Sequence, residues 1–354
     1  MTVYIGDDFH PHQQTVCYMD TTDGEIHRRE LKHDHAQIRE FYSQFNGDVV
    51  IGLEAGNPCR WFEKMMSELG HRVLFGDAKE IRLLARSRHK SDPRDAEHLL
   101  DLLLRNEFPV LWRRPEQSEV ILEQLRFRHA LVQQRTRIYN HLQALAHTAG
   151  LPKRSMKSIS AKDQLKEADL SQTQMDQCDH WLGMLKDIDS RIKRLDQWAA
   201  RAAAADSIAS RLGTQPGVGV LTALCLTHTL GDVSRFRTSR QVTAYVGLDP
   251  VEKSSGSRHH IGRISKAGSP LLRFLLLQAG QAALKSDAQL RQFYKQLCHR
   301  RGHAIAKVAA ARKVLVRSYI MLRDKINYAE YLRRGVVVGR SDLAVRFVQQ
   351  PKSR

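Results

Sequence analysis

Four carboxylates in the N-terminal part of the chain have the types and positions for metal-dependent chemistry on phosphates: Asp8, Glu54, Asp92 and Asp95. Asp8 follows the apolar segment Val3–Gly6, and Glu54 follows Val49–Leu53. Asp92 and Asp95 begin a helical pattern and occupy neighbouring positions of one face. Strand ends and a helix N-terminus can bring all four together. Clustered carboxylates repel one another unless a cation neutralises them, and hard oxygen donors select Mg2+ or Mn2+. Two such ions about 3.5–4 Å apart clamp the attacking and leaving oxygens of a phosphoryl transfer. Each residue also has a purely structural reading. Asp92 before Pro93 is an N-cap, Glu54 can pair with a nearby arginine, and Asp8 can begin a turn. The neighbouring residues favour phosphate: Arg82, Arg86, Arg88, His89 and Lys90 lead directly into Asp92. Positive charge of that density suits a surface that tracks a nucleic-acid backbone.

The elements that must position these residues follow from periodicity. Val3–Gly6, Thr15–Met19 and Glu25–Leu31 are expected strands, the last two joined by the turn Thr21-Thr22-Asp23-Gly24. A helix over His35–Phe45 places Ile38, Phe41 and Phe45 on one face. Val49–Leu53 is a buried strand. Asn57 and Pro58 start a helix that continues through Trp61, Met65 and Leu69 and closes at Gly70. Arg72–Phe75 is a further strand, and Asp77 caps the next helix. The order is β-β-β-α-β-α-β-α, a mixed sheet whose parallel strands gather their carboxyl ends, and sites with them, near one edge.

The middle of the chain changes character. Leu125, Val132, Tyr139 and Leu131, Ile138, Leu145 form two seven-residue series between Glu116 and Ala149. Trp181, Ile188, Leu195 and Leu185, Ile192, Ala199 repeat the spacing between Gln174 and Ala204. This predicts two long helices in coiled-coil contact, paired within one chain or between two. The link Gly150–Ser171 is basic at first and polar throughout. From Ile208 the pattern is helical with glycine punctuation. The turn Gln215-Pro216-Gly217-Val218-Gly219-Val220 runs into the apolar helix Leu221–Leu230, and is either a phosphate contact at a helix N-terminus or a plain helix–helix turn. Lys253–Gly268 is basic, small-residue and without apolar periodicity, so it reads as an exposed loop. Helices over Pro270–Leu284 and Ala304–Asn327 follow, then a loose tail beyond Tyr331. The expected domains are a metal-binding catalytic domain over 1–112, a long-helix arm over 113–207, a helical domain over 208–330 and a tail over 331–354.

Composition bounds the function. The chain has 354 residues, 42% hydrophobic and 27% charged, which fits a largely globular protein and excludes a disordered scaffold. Lys and Arg number 56 against 38 Asp and Glu, a net charge of +18, so a polyanionic partner is expected. No apolar run approaches the roughly 20 residues that span a bilayer, and the N-terminus lacks a signal-peptide pattern. The five cysteines include no Cys-x-x-Cys pair, and none of the 17 histidines forms a His-Glu-x-x-His pattern. A reduced cytoplasmic compartment is expected, with no membrane partner.

Further motifs turn this into a family resemblance. Ile5-Gly6-Asp7-Asp8-Phe9-His10, Leu53-Glu54-Ala55-Gly56 and Lys90-Ser91-Asp92-Pro93-Arg94-Asp95-Ala96 resemble the Asp-Glu-Asp-Asp motif of the insertion sequence 110 family transposases. Pro216-Gly217-Val218-Gly219, Arg235-Phe236, Ala244-Tyr245-Val246-Gly247-Leu248-Asp249-Pro250, Ser255-Gly256, Ile264-Ser265-Lys266-Ala267-Gly268 and Leu272-Arg273 resemble that family's second domain in order and spacing. The resemblance covers nearly the whole chain. It implies an N-terminal RuvC-like domain of the RNase H fold and a C-terminal serine-containing transposase domain. It further implies excision and insertion of a mobile element in a prokaryotic, nucleoid-associated setting. Donor and target DNA would be chosen by a structured noncoding bridge RNA, in a homo-oligomer, dimer or tetramer, whose acidic cluster meets the serine domain of another subunit. Carried over, Asp8, Glu54, Asp92 and Asp95 hold Mg2+ or Mn2+, and Ser255 is the nucleophile. The family has an apolar residue where this chain has Asp7. Strand alternation sends Asp7 and Asp8 to opposite faces, and the register with Gly6 and His10 favours Asp8 as ligand. If the strand ends early, Asp7 takes its place.

A serine hydroxyl needs a base or a metal to become nucleophilic at neutral pH. Its attack on a DNA phosphate would give a phosphoserine bond that conserves the broken linkage. Lys253, Arg258, Arg263 and Lys266 can neutralise charge on that phosphate, and Arg88 and Lys90 can contact the backbone. Ser254 and Ser257 are local alternatives to Ser255, and a plain Ser/Gly turn is the structural one. Arg235, Arg237, Arg240, Arg300, Arg301, Lys307, Arg312, Lys313 and Arg317 are further backbone-contact candidates. Three other functions use the same residues: a RuvC-like nuclease or junction resolvase that activates water, a DNA invertase, and a non-enzymatic scaffold whose carboxylates pair with arginines.

Overall fold

Alternating burial along the first strand sets the N-terminal unit. In the computed structural model, which describes residues 2–56, 59–85, 92–152, 156–255 and 258–337, β1 (Thr2–Phe9) buries Val3, Ile5 and Phe9 on one face. For residues 92, 253–255, 258–261 and 336–337 the description is of the backbone alone. β2 (Gln13–Asp20) and β3 (Ile26–Lys32) follow as antiparallel neighbours, then α1 (His35–Ser43), β4 (Asp48–Glu54), α2 (Arg60–Glu68) and β5 (Arg72–Gly76). α3 (Ala78–Leu84) and α4 (Asp92–Leu104) complete the unit, which spans Met1–Arg113. The sheet order is β3-β2-β1-β4-β5, with β1, β4 and β5 parallel. Parallel pairing needs helical crossovers, and the crossovers α1 and α2 supply them.

One face of this sheet packs Val3, Ile5, Val49, Ile51 and Leu53 against Ile38, Phe41 and Tyr42 of α1 and Phe62, Met65 and Met66 of α2. Each such side chain, fully buried, stabilises the fold by about 1.5–3 kcal/mol before entropy is counted. The other face lies under α4. A Cβ on Gly6 would stand 2.3 Å from the Ala96 carbonyl oxygen and 2.4 Å from the Leu100 nitrogen, so the helix backbone rests directly on the strand. Asp34 and Asp77 cap α1 and α3 by accepting backbone N–H groups, as the sequence pattern predicts for Asp77. The expected helix start at Asn57 and Pro58 lies outside the described residues.

The second unit, Arg114–Arg354, is mostly helical. α5 (Glu116–Thr148) and α7 (Gln172–Ala205) are its longest elements, with α6 (Ile159–Lys166) between them in sequence. α5 and α7 run antiparallel within the one chain: Arg128 pairs with Asp196 at 2.5 Å, Arg135 with Asp189 at 3.1 Å, and His141 stacks on Trp181. Ile138 and Leu142 meet Cys178 and Leu185, and the far end is closed by Met156, Ala161 and Leu165. α8 (Ser207–Leu212), α9 (Val220–Leu230), a short 3-10 turn over Val233–Arg235 and α10 (Ser239–Val246) lead to the hairpin β6 (Pro250–Ser255) and β7 (Arg258–Ile264). α11 (Pro270–Ala283), α12 (Ala288–Arg301), α13 (His303–Arg323) and α14 (Tyr328–Val337) follow. The core of this unit joins Leu224 and Leu226 of α9, Leu272 and Leu276 of α11, and Val314, Leu315 and Tyr319 of α13.

Three expectations change. The stretch read as a loop over Lys253–Gly268 is largely a two-stranded antiparallel hairpin, with Pro250 opposite Ile264 and Ser255 opposite Arg258. Its few apolar residues, Val251, Ile261 and Ile264, do not fall at every second position, so it lacks the apolar alternation by which a strand is recognised. α12 was not expected. It is held by its cap, where Asp287 accepts from the Leu290 backbone at 2.8 Å, and Leu290 is its one fully buried residue, so its apolar stripe is too thin to read. The chain after Tyr331 continues in α14 as far as Val337, and the rest of the expected tail lies outside the described residues. The turn at Gln215 is locked inside the core: Gln215 donates to the Val314 carbonyl at 3.1 Å and accepts from Ser318 at 2.9 Å. That is the helix–helix turn rather than an open anion cradle.

Candidate active site

The carboxyl ends of β1 and β4 define the candidate site. The two strands are parallel and in register, with Gly6 beside Gly52 and Asp7 beside Leu53. Asp8 and Glu54 are the residues that follow this last pair on the two strands. Alternation puts both on the face of Gly6 and Gly52, and that face is the one α4 covers, with Ala96 and Leu100 over Gly6 and Leu103 over Gly52. α4 begins at Asp92, one turn before Ala96, and Asp95 is half-buried in its first turn. Asp8 and Glu54 therefore share the sheet face that α4 covers, and Asp92 and Asp95 lie in the first turn of that helix. The side chain of Asp92 is not among those described. Carboxylates in the first turn are favoured by the helix dipole, which offsets part of their mutual repulsion.

Asp7 and Asp8 divide. Asp8 has a side-chain exposure of 17% and lies 3.1 Å from Nε2 of His10. Asp7 points to the opposite face and is wholly buried. One of its oxygens accepts from the Tyr42 hydroxyl at 3.2 Å, and that hydroxyl accepts from Gln14 at 3.0 Å. The other Asp7 oxygen is buried without a hydrogen-bond partner. Burial drives the Asp7 carboxyl well above the usual carboxylate range, and the nearby Asp8 charge adds to this. The Tyr42 phenol is pushed up too, first by burial and then by Asp7. No single-sequence pattern joins residues so far apart, which is why this trio was missed.

Glu54 lies 3.4 Å from the exposed guanidinium of Arg82, the arginine pairing that its sequence position allows. Among the described residues, no group of three or more His, Cys, Asp or Glu side chains is drawn together as a metal cage. Asp92 stands outside that set. The side chains of Asp8, Glu54 and Asp95 offer only carboxylate oxygens, the donor type a hard divalent cation takes. Arg88 and Lys90 lie outside the described residues.

In the second unit, Ser255 is the last residue of β6, and Lys253 pairs with His260 across the ladder. The side chains of Ser255, Lys253 and Arg258 are not among those described. Arg263 and Lys266 are exposed, and Lys266 holds a left-handed backbone at φ 57°. Two of the basic candidates are engaged inside the fold instead. Arg317 pairs with Asp287 and reaches Tyr328, and Arg235 stacks over Phe236 and Tyr245 while donating to the Leu230 carbonyl at 3.2 Å. A Ser118–His228–Asp206 contact was also invisible in the sequence. Ser118 Oγ is 3.0 Å from His228 Nδ1, and His228 Nε2 is 3.3 Å from Asp206. Asp206 also caps α8 by accepting from Ile208 and Ala209. We read the group as a strut tying α5, α8 and α9.

Comparisons with known proteins match both units. The family profile described as a transposase with the Asp-Glu-Asp-Asp motif of IS110 matches residues 5–149, and the profile "Transposase IS116/IS110/IS902 family" matches residues 209–295. A "Probable family 20 transposase" of Pseudomonas aeruginosa is 27% identical over 313 residues, covering 85% of this chain and 88% of the relative. The "Transposase for insertion sequence element IS1111A" of Coxiella burnetii is 26% identical, covering 84% of this chain and 83% of the relative. The transposase for insertion sequence element IS1328 of Yersinia enterocolitica is 27% identical, covering 73% and 80%. No helix among the described residues is long and apolar enough to cross a membrane.

Proposed function

Because the chain belongs to the IS116/IS110/IS902 family of transposases, and so to enzymes that cleave and rejoin DNA, we propose that it exchanges donor and target strands through a covalent bond between a DNA phosphate and Ser255. The observation that carries this reading is the shared face of Asp8, Glu54 and the first turn of α4. Together with Asp92 and Asp95 these residues would hold Mg2+ or Mn2+, which supplies charge neutralisation at the phosphate when bound.

The protein's own part is a balanced exchange. Ser255 Oγ bonds to phosphorus, the phosphorus–oxygen bond to the deoxyribose breaks, the serine proton is lost to a base, and the departing sugar oxygen gains a proton. Rejoining runs the same steps in reverse on a different strand end. Lys253, Arg258, Arg263 and Lys266 surround the serine in sequence and neutralise charge on the phosphate. Arg88 and Lys90 contact the backbone beside the carboxylates. A guide RNA pairs with donor and target, so that sequence is read by base pairing, and the net charge of +18 supports a partner set with two nucleic acids. The active form is a homo-oligomer, dimer or tetramer, in which the carboxylates of one subunit serve the serine of another.

A covalent-trapping experiment tests this. Protein, guide RNA and labelled donor and target DNA are incubated with Mg2+, denatured and resolved on a gel. A protein–DNA adduct that disappears in Ser255→Ala and in Asp92→Ala is expected. Strand cleavage without an adduct, persisting in Ser255→Ala, would replace this reading by a nuclease that activates water.

A further inference from the structure

We propose that Arg273 is the positioning residue of the serine hairpin, clasping both of its legs at the base and so fixing where Ser255 is presented. The proposal rests on the reading of Ser255 as the nucleophile.

The hairpin leaves the helical body at one narrow crossing. Its entering leg starts from Val246, the last residue of α10, and runs to Asp249, and its leaving leg is Ser265–Gly268, before α11. One guanidinium nitrogen of Arg273, in the second turn of α11, donates to both legs. It reaches the Val246 carbonyl at 3.1 Å and also the Ala267 carbonyl. Two further ties join the same legs: Ser265 Oγ donates to Asp249 at 2.5 Å, and the Lys266 backbone N–H donates to the Gly247 carbonyl at 3.2 Å. The legs are too close for side chains at the crossing. Gly247 and Gly268 have φ of 75° and 65°; a Cβ on Gly247 would lie 2.2 Å from the Ala267 carbonyl oxygen of the opposite leg, and one on Gly268 2.1 Å from the Tyr245 carbonyl oxygen at the end of α10. Lys266 adopts φ 57° without being glycine, a strained conformation that persists only where neighbours impose it.

The leverage of this clasp is large. Six strand residues separate Asp249 from the end of β6 at Ser255, a reach of about 20 Å at ~3.3 Å per residue. A tilt of about 3° at the base therefore moves the tip by about 1 Å, and a displacement of about that size costs on the order of 100-fold in rate. Among the described residues no third strand lies beside the pair, and Ile264 at the foot of β7 packs on the helical core, so the base is where their direction can be set. The guanidinium suits the task because its planar fork directs two hydrogens from one nitrogen to two fixed acceptors, which a lysine ammonium cannot hold in one plane.

The test compares full-length wild type with Arg273→Lys, Arg273→Ala and Ser265→Ala, each with guide RNA, DNA and Mg2+. The expected result in Arg273→Lys is adduct formation slowed about 10- to 100-fold at saturating DNA, with DNA affinity changed less than about twofold. Amide hydrogen exchange should quicken over residues 250–264 while α11 and α13 stay protected, and added guanidinium should restore part of the rate in Arg273→Ala. Ser265→Ala removes a different tie at the same crossing, so it should show the same local loosening even if an Arg273 variant folds poorly. Wild-type adduct rates in the Arg273 variants, with Ser255→Ala inactive, would overturn the positioning role and leave the nucleophile standing. An adduct surviving in Ser255→Ala would remove the nucleophile, while the exchange data would still decide whether Arg273 holds the hairpin. Exchange that quickens across the whole second unit would make Arg273 a general stabiliser and overturn the proposal.

Discussion

Tyr42 donates its hydroxyl to Asp7 at 3.2 Å inside the α1–α2 face of the sheet, while the next residue, Asp8, points through the opposite face toward α4. Two consecutive aspartates of one strand thus have opposite electrostatic situations. Asp7 is a buried acid with one oxygen unpartnered, and Asp8 is a partly exposed carboxylate 3.1 Å from the His10 ring.

The first prediction concerns stability against pH. The folded-state acidity of Asp7 is weakened by burial, so its folded value lies above the unfolded one of about 3.9. The neutral carboxyl is then favoured in the fold. Its stabilising contribution is complete below about pH 4 and is lost as pH rises through the folded value. Asp7→Asn, which keeps an acceptor for Tyr42 but no charge, should gain on wild type as pH rises, by about 1 kcal/mol or more at pH 7. Melting both proteins between pH 4 and pH 8 checks this, and parallel curves would refute it.

The second separates the same pair by activity. Asp8→Asn should lower strand cleavage by at least about 100-fold while leaving DNA binding nearly intact, because it removes a metal donor and not a contact to DNA. Asp7→Asn should retain cleavage. Chelation of divalent ions should reproduce the Asp8→Asn phenotype in wild type, with recovery on adding Mg2+. A reversed pattern, with Asp7→Asn inactive and Asp8→Asn active, would move the site to the other face.

The third tests the packing beneath the site. Gly6→Ala drives a methyl group into the backbone of α4 at Ala96 and Leu100, and backbone cannot step aside as a side chain can. We expect a loss of about 3 kcal/mol or more, expressed as melting of the N-terminal unit and loss of activity. A near-wild-type melting temperature would mean that α4 does not rest on β1.

The fourth concerns the charge excess. Binding of guide RNA or DNA should fall linearly in log–log measure as salt rises, with a slope set by the number of phosphates contacted. Arg263→Ala should reduce that slope by about one. Substituting Arg317 should instead lower the melting temperature, because its partners are Asp287 and Tyr328. An affinity indifferent to salt would count against a backbone-tracking surface.

Much of the N-terminal unit was legible because burial repeats with the period of each element. Val3, Ile5, Val49, Ile51 and Leu53 alternate, and Ile38, Phe41 and Phe45, then Trp61, Met65 and Leu69, recur at helical spacing and pack on this core. Glu54 and Asp8 were legible as strand ends for the same reason. The hairpin under Ser255 was not, because its few apolar residues, Val251, Ile261 and Ile264, carry no alternation. α12 was hidden by an apolar stripe reduced to Leu290. The burial of Asp7 depends on Tyr42 and Gln14, partners chosen by tertiary packing alone.

The antiparallel pairing of α5 with α7 has a consequence for how this protein can change length. The helices run about 50 Å at 1.5 Å per residue, and the chain that travels out along one returns along the other. Leu122 and Leu125 share the main core with Ala199 and Ala203, whereas Ile138, Leu142, Cys178 and Leu185 share a separate one at the far end. Matching deletions of seven residues from both helices would draw the far end inward by about 10 Å and keep every base contact in phase. The arm is therefore a span whose reach can be trimmed or extended in steps, like a ladder losing rungs, while the packing at its foot stays as it is.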